Sequence, residues 1–206
     1  GRIGIVGFEA SGPGAGTTAK FLHIDANTPY LYVGKCYTGN FDTLMLLRNA
    51  YNSIVEQCSG YNYKHGIRLQ AESHSFLGIN NLLDNCSVAA FSVNYGGGAG
   101  TGPTHNVTLM GGAYQNSAVG IWAENCLGLH TVNVYHEGNT VHDYRIGVAD
   151  SGAYGRACYN VTIDGFESSS ACAGGVNVRI EHSVSVHIRG AAWNTGCSTT
   201  ATLASY

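Results

Sequence analysis

The stretch that decides the fold is Val-Thr-Ile-Asp-Gly at residues 161–165. It alternates apolar and polar side chains and ends in glycine, which is typical of a short β-strand that runs into a turn. Further copies of this pattern stand at residues 3–7, 107–111 and 186–190. A strand that recurs along the chain indicates a repeat architecture.

A second strand pattern recurs at a near-constant interval. Its copies start at residues 21, 44, 66, 90, 120, 145 and 175, so that one coil takes 22 to 30 residues. A unit of this size, with two or three short strands, buries its apolar face only by stacking on its neighbours. We therefore predict a single all-β domain over residues 1–206, a right-handed parallel β-helix solenoid of about seven coils.

The side chains of the second pattern are expected to form columns along the solenoid, because successive residues of a strand face opposite sides. The expected inner column is Leu22, Met45, Ile67, Phe91, Ile121, Ile146 and Val176. The expected outer columns are His23, Arg68, Ser92, Trp122 and Asn177, and, beside it, Asp25, Arg48, Gln70, Asn94, Glu124 and Arg179. Neither end of the solenoid shows an amphipathic cap, so we expect the ends to be uncapped in this fragment, with the caps in further sequence or in another chain.

The composition excludes several classes of protein. Only 11% of the 206 residues are charged and 29 are glycine, which suits short strands joined by tight turns and does not suit a helical protein. The net charge of −3 disfavours nucleic acid as a partner, and no segment is apolar enough to insert into a membrane. The seven cysteines stand singly, without a zinc spacing; we interpret them as small buried residues, with a partial disulfide set as the alternative.

Two coils carry insertions, at residues 95–105 and 150–159. Insertions in a solenoid map to loops on one face, which is often the binding face. These two flank the coil of Trp122 and Glu124, so we predict a groove there in which the indole is a platform for a sugar ring. The predicted substrate-binding residues are Trp122, Asn94, Arg68, Gln70, Asn177 and Arg179. The alternative is a solvated sheet face or a contact between subunits.

Carboxylates near this groove are candidates for glycoside hydrolysis. That reaction requires two of them, about 5 Å apart for retention and about 6.5–9.5 Å apart for inversion. Glu124 and Asp150 fall on adjacent coils near one corner, and we predict them as the catalytic pair. Asp143, Glu137 and Asp164 are further candidates, of which the last two follow the other strand and are expected to face elsewhere.

A polysaccharide lyase is an alternative reaction class, in which an arginine serves as base beside a calcium ion. Arg145, Arg156 and Arg179 are available as bases, but no acidic cluster has the ligand density of a calcium site. His130, His136 and His142 stand six residues apart, a spacing that does not place them on one strand face for a metal. We interpret them as surface histidines and predict neither a metal nor a cofactor.

The coils written Gly-Ile-x-Val/Leu and Asn-Val-Thr-Ile-x-Gly, with the opening Gly-Phe-Glu-Ala-Ser-Gly-Pro-Gly-Ala-Gly-Thr-Thr at residues 7–18, resemble pectate-lyase-like β-helices. Among these β-helices, the sequence resembles bacteriophage tailspikes in its low charge and its high content of Gly, Ser, Asn and Tyr. The resemblance implies a homotrimer in the virion tail that recognises a bacterial surface polysaccharide and often hydrolyses it. It implies catalytic carboxylates at Glu124 and Asp150, with Trp122 as platform. The alternatives are a non-catalytic structural or adhesin segment, and a secreted cellular lyase or epimerase.

Overall fold

The computed structural model describes residues 2–14, 16–25, 27–94, 102–147, 157–170, 172 and 176–193. Its regular elements are all β-strands, which form two parallel sheets. The eight-stranded sheet contains β1 (Arg2–Val6), β4 (Tyr30–Gly34), β7 (Tyr51–Glu56), β9 (His74–Ile79), β11 (Thr104–Met110), β14 (Cys126–Val132), β17 (Cys158–Asp164) and β20 (Ser183–Arg189). Within the described residues, no helix is long and apolar enough to cross a membrane.

The second sheet has thirteen strands in two side-by-side rows. One row contains β2 (Glu9–Ser11), β5 (Tyr37–Gly39), β12 (Ala113–Gln115), β15 (Tyr135–Glu137), β18 (Glu167–Ser168) and β21 (Ala192–Trp193). The other contains β3 (Lys20–Ile24), β6 (Thr43–Arg48), β13 (Val119–Ala123), β16 (His142–Ile146) and β19 (Val178–Ile180). The long strands β8 (Ser59–Gln70) and β10 (Leu82–Val93) run through both rows, and the register between them shifts between Cys86 and Ala89.

The predicted parallel β-helix is confirmed. The chain alternates between the two sheets, and each strand pairs in parallel with the equivalent strand of the next coil, for about seven turns. Parallel strands in such a coil are joined by turns and not by helices, which is why no helical period occurs in the sequence. Residues 95–101 and 150–156 of the two predicted insertions, and the predicted last coil at residues 201–204, lie outside the described residues.

The inner column runs through buried apolar side chains, but two of its predicted members are wrong. The register places Tyr144 beside Ile121, and Val178 beside Tyr144, where Ile146 and Val176 were expected. The predicted strands in these two coils were therefore displaced by two residues. Because side chains alternate with period two, such a displacement keeps each residue on its side of the sheet but moves it into the neighbouring column.

The six described cysteines, at positions 36, 58, 86, 126, 158 and 172, are buried free thiols. This confirms their interpretation as small core residues, and within the described part of the chain no disulfide forms. Cys126 and Cys158 are register neighbours on β14 and β17. Burial raises the pKa of the Cys86 and Cys158 thiols to about 12, which keeps both protonated and unreactive at neutral pH.

Candidate functional site

An outward row of side chains crosses the sheet at the predicted groove. Register pairs align Arg68, Ser92, Trp122, Arg145 and Arg179 on the outer face of β8, β10, β13, β16 and β19. We call this row the arginine–tryptophan column. Neighbouring strands of a sheet are about 4.8 Å apart, so the column extends over roughly 19 Å. It brings three guanidinium groups and one indole onto one surface.

Trp122 and Arg145 are in direct contact. The guanidinium carbon of Arg145 lies 4.3 Å from the indole centroid, within the range of a cation–π interaction. Arg145 therefore covers one face of the predicted sugar platform, and the neighbour of Trp122 on the opposite side of the column is the small residue Ser92. A sugar that stacks on this indole would use the face opposite Arg145, with the guanidinium fixed close by.

A second row begins two residues further along each strand, where the sheet ends. Its members are Arg48, Gln70, Asn94, Glu124, Gly147 and Glu181. We call this row the corner column. Its carboxylates, at Glu124 and Glu181, are 3% and 6% exposed, and Gly147 stands between them. Gly147 leaves no room for a side chain, because a Cβ at this position would lie 1.7 Å from the Glu181 carbonyl oxygen.

Glu181 joins the two columns. Its Oε1 lies 2.5 Å from Nη2 of Arg179, and its Oε2 lies 3.8 Å from Nη2 of Arg145. These ion pairs orient both guanidinium groups. Glu181 was not predicted as a site residue, because the predicted strand of its coil was displaced by two residues and placed Arg179 in the corner column. The available signal was the acidic residue two positions after Arg179, since Glu124 likewise stands two positions after Trp122.

The structure places the predicted binding residues in different surroundings. Trp122, Arg68 and Arg179 lie on the arginine–tryptophan column. Gln70 and Asn94 lie in the corner column, where their side chains are used locally. The side-chain oxygen of Gln70, Oε1, accepts a hydrogen bond from Nε of Arg48 at 3.0 Å. The side-chain amide of Asn94 donates a hydrogen bond to the backbone carbonyl of Asn125 at 2.8 Å.

Asn177 lies inside the coil and not on the outer face. It is fully buried, and its amide donates to Oδ2 of Asp143 at 2.6 Å and to Oγ of Ser168 at 2.9 Å. Asp143, a further candidate carboxylate, also accepts from Nδ2 of Asn139 at 2.9 Å and is 1% exposed. These residues form an interior polar network, which satisfies a buried carboxylate and leaves it no access to a substrate.

The other carboxylate candidates lie away from this face or outside the described residues. Asp150 lies outside them, so its pairing with Glu124 stays a prediction. Asp164 is on β17 of the eight-stranded sheet, bound to Arg189. Glu137 is on β15, in the other row of strands of the thirteen-stranded sheet. Its Oε2 accepts a hydrogen bond from the Tyr135 hydroxyl at 2.9 Å.

The interpretation of the histidines as surface residues is correct for His130 and wrong for the other two. His136 is fully buried against the ring of Tyr144, 4.6 Å between centroids, and this burial lowers its pKa. His142 is 6% exposed, and Nδ1 lies 2.7 Å from the Val176 carbonyl oxygen. Both fill space in the coil interior that the alternating pattern assigned to apolar residues. Within the described part of the chain, no three His, Cys, Asp or Glu side chains are grouped as metal ligands.

Comparison with known proteins supports the architecture. No protein-family model matches the sequence, and no curated protein matches it. Among solved structures, the fold is similar to the A-module of the mannuronan C-5 epimerase AlgE6 from Azotobacter vinelandii, with a TM-score of 0.53 and 14% sequence identity. The match covers 97% of this chain and 72% of that chain. At this identity the likeness shows a shared fold, the parallel β-helix.

Proposed function

We propose that the arginine–tryptophan column binds an anionic polysaccharide. The observation that carries the proposal is the difference in exposure between the two signs of charge. The side chains of Arg145 and Arg179 are 24% and 43% exposed, whereas Glu124 and Glu181, in the adjacent corner column, are buried. Guanidinium groups bind carboxylates and similar anions through paired, charge-assisted hydrogen bonds. A row of such groups at the spacing of the coils suits a polymer whose anionic groups recur.

Two features support a sugar polymer as the ligand. Contacts with Trp122 and Glu181 hold the Arg145 guanidinium in place, so less side-chain entropy is lost when a ligand binds. The indole adds an apolar surface beside the cations, which matches the mixed polar and apolar character of a sugar ring. The structural neighbour is, by its name, an epimerase of mannuronan, and this agrees with a polysaccharide ligand.

The test is binding of an anionic glycan, polygalacturonate, compared with neutral dextran. We expect polygalacturonate to bind and dextran not to bind at this column, and added salt to weaken the complex. The double variant Arg145→Gln/Arg179→Gln should weaken binding about tenfold or more, because each lost charge-assisted contact contributes about 1.5–3 kcal/mol. Affinity electrophoresis and titration calorimetry measure both effects.

Arg2→Gln is the matched control. Arg2 also lies over an aromatic ring, 5.3 Å from the centroid of Tyr30, but on β1 of the other sheet. It should bind polygalacturonate like the unaltered protein. Equal binding of dextran through the column, or an equal loss of polygalacturonate binding in Arg2→Gln, would overturn the proposal. Circular dichroism checks that each variant retains its β-structure.

Hydrolysis of the bound glycan is the second candidate function, with Glu124 as one carboxylate. Gly147 occupies the position between Glu124 and Glu181, whose backbones are two strand spacings apart, roughly 9.6 Å. This backbone separation is close to the roughly 6.5–9.5 Å between the carboxyl groups of an inverting pair. Glu181 is therefore, like Asp150, a candidate partner of Glu124. Glu124→Gln should abolish the release of reducing ends and retain binding. Cleavage that persists in this variant would exclude Glu124, and unsaturated ends would indicate a lyase.

More specifically, we propose that the protein is a bacteriophage tailspike, a homotrimer in the virion tail that recognises a bacterial surface polysaccharide. Its support is the resemblance of the repeat coils, together with the parallel β-helix. Sedimentation equilibrium should give three times the chain mass of 21.7 kDa. A monomer that binds glycan without cleavage would instead favour an adhesin segment, and a monomer with lyase or epimerase activity would favour a secreted enzyme.

A further inference from the structure

We propose that the eight-stranded sheet carries a second glycan site, a notch at Gly128 that takes one uncharged sugar residue. The notch lies on a different sheet from the arginine–tryptophan column, and the inference does not depend on the function proposed for that column.

The notch arises from one missing side chain in a row of equivalent positions. Asn106, Gly128 and Asn160 occupy the same register position on β11, β14 and β17, and each has a positive φ, of 53°, 92° and 54°. The two asparagines are separated by two strand spacings, roughly 9.6 Å, and Oδ1 of Asn106 lies 3.3 Å from the place where a Cβ of Gly128 would stand. A depression of about 310 Å³ lies at this place.

The walls and floor of the depression are polar. Thr108, His130 and Thr162 form the next outward row and line it together with the two asparagines. Asn106 and Asn160 are exposed, and the His130 side chain is 46% exposed. Among the described residues, the side chains of Asn106, Asn160, Thr108 and Thr162 have no hydrogen-bond partner. Two carboxamides and two hydroxyls are therefore available to a ligand, and each can both donate and accept.

These groups and their charge favour an uncharged sugar. Sugar hydroxyls also donate and accept, so carboxamides and threonine hydroxyls complement them. The nearby carboxylate, Asp164, is neutralised by Arg189, whose Nε and Nη2 lie 3.0 and 3.1 Å from its oxygens. The notch thus offers no unbalanced cation, in contrast to the arginine–tryptophan column.

The size of the depression suits one residue of a longer chain. About 310 Å³ is at the lower end of the range for ligand pockets, and the site is a surface hollow with few partners. We therefore expect weak binding of a single unit. Affinity would rise when one glycan chain, or several on a surface, occupies this notch and another site together.

The test uses two neutral probes, maltotetraose and cellotetraose, and an acidic probe, tri-galacturonate. Amide chemical shifts in ¹H–¹⁵N spectra serve as a local readout, because the Gly128 amide is in the notch and the Trp122 indole is in the other site. We expect a neutral probe at millimolar concentration to shift Gly128 and Thr162 and to leave Trp122 unchanged. Shifts at Gly128 that occur only with tri-galacturonate, or with none of the probes, would overturn the inference.

Variants distinguish specific binding at the notch from non-specific contact of the probe with the surface. Thr108→Val/Thr162→Val keeps the shape and strand preference of both residues and removes both hydroxyls, and it should weaken neutral-probe binding about fivefold or more. Thr140→Val, at an exposed turn position, is the matched control and should bind normally. Unchanged affinity in the double valine variant would overturn the inference.

Discussion

Acid should destabilise the β-helix through His65, a residue of β8. The ring is 2% exposed, and its burial, together with the charges of Arg68 and Lys64, lowers its pKa to about 4. In the unfolded chain the pKa is about 6.5. Between these values the unfolded chain binds a proton that the folded chain does not bind. The contribution of His65 is therefore fully present above about pH 6.5 and is lost as the pH falls toward 4.

The size of this effect follows from the difference between the two pKa values. A difference of about 2.5 units, at about 1.4 kcal/mol per unit, lowers the free energy of unfolding by about 3 kcal/mol between neutral pH and about pH 4. Domains are commonly stable by about 5–15 kcal/mol, so one such residue decides much of the acid tolerance.

Urea unfolding followed by circular dichroism at a series of pH values measures this effect. His65→Gln removes the titrating group, and its free energy of unfolding should depend less on pH than that of the unaltered protein, by about one proton in this range. His23→Gln is the matched control, because the His23 side chain is 40% exposed and should not contribute. A pKa for His65 near 6 by NMR titration, or an unchanged acid dependence in His65→Gln, would refute the argument from burial.

Gly147→Ala should lower the free energy of unfolding by about 2 kcal/mol or more, because Gly147 has a φ of +76° and a Cβ there would lie 1.7 Å from the Glu181 carbonyl oxygen. Gly4→Ala, with open space around the new Cβ, should change it by less than about 1 kcal/mol, and similar urea midpoints for the two variants would contradict this reasoning. The six described cysteines should resist a thiol reagent at about pH 8 in the folded protein and react after unfolding, since burial holds the pKa of thiols such as Cys86 and Cys158 near 12. Peptide mapping by mass spectrometry locates the label, and rapid labelling of Cys158 in the folded protein would be the contrary result.

The coil itself was predictable because its cause is local. A strand that alternates with period two, ends at a turn residue and recurs every 22 to 30 residues has few ways to bury its apolar side chains other than stacking. For the same reason the sequence correctly placed Trp122, Arg68 and Glu124 on the edge or outer face of one sheet. Asn40 and Asn85 have a positive φ, of 61° and 54°, a conformation that asparagine tolerates well.

Which side chains meet across coils depended on the tertiary structure. Arg179 lies beside Arg145, and Glu181 rather than Arg179 occupies the corner, because β19 is displaced by two residues from the predicted strand. The register joins β16 and β19 at a separation of 34 residues, where the pattern has a spacing of 30. The interior position of Asn177 also left no local signature in the sequence, because its amide is satisfied by Asp143, 34 residues away along the chain. The alternation of inward and outward side chains within a strand is local, so the sequence alone predicts it. Alignment between strands depends on turns, bulges and insertions of unequal length, and it is determined only when the coils stack.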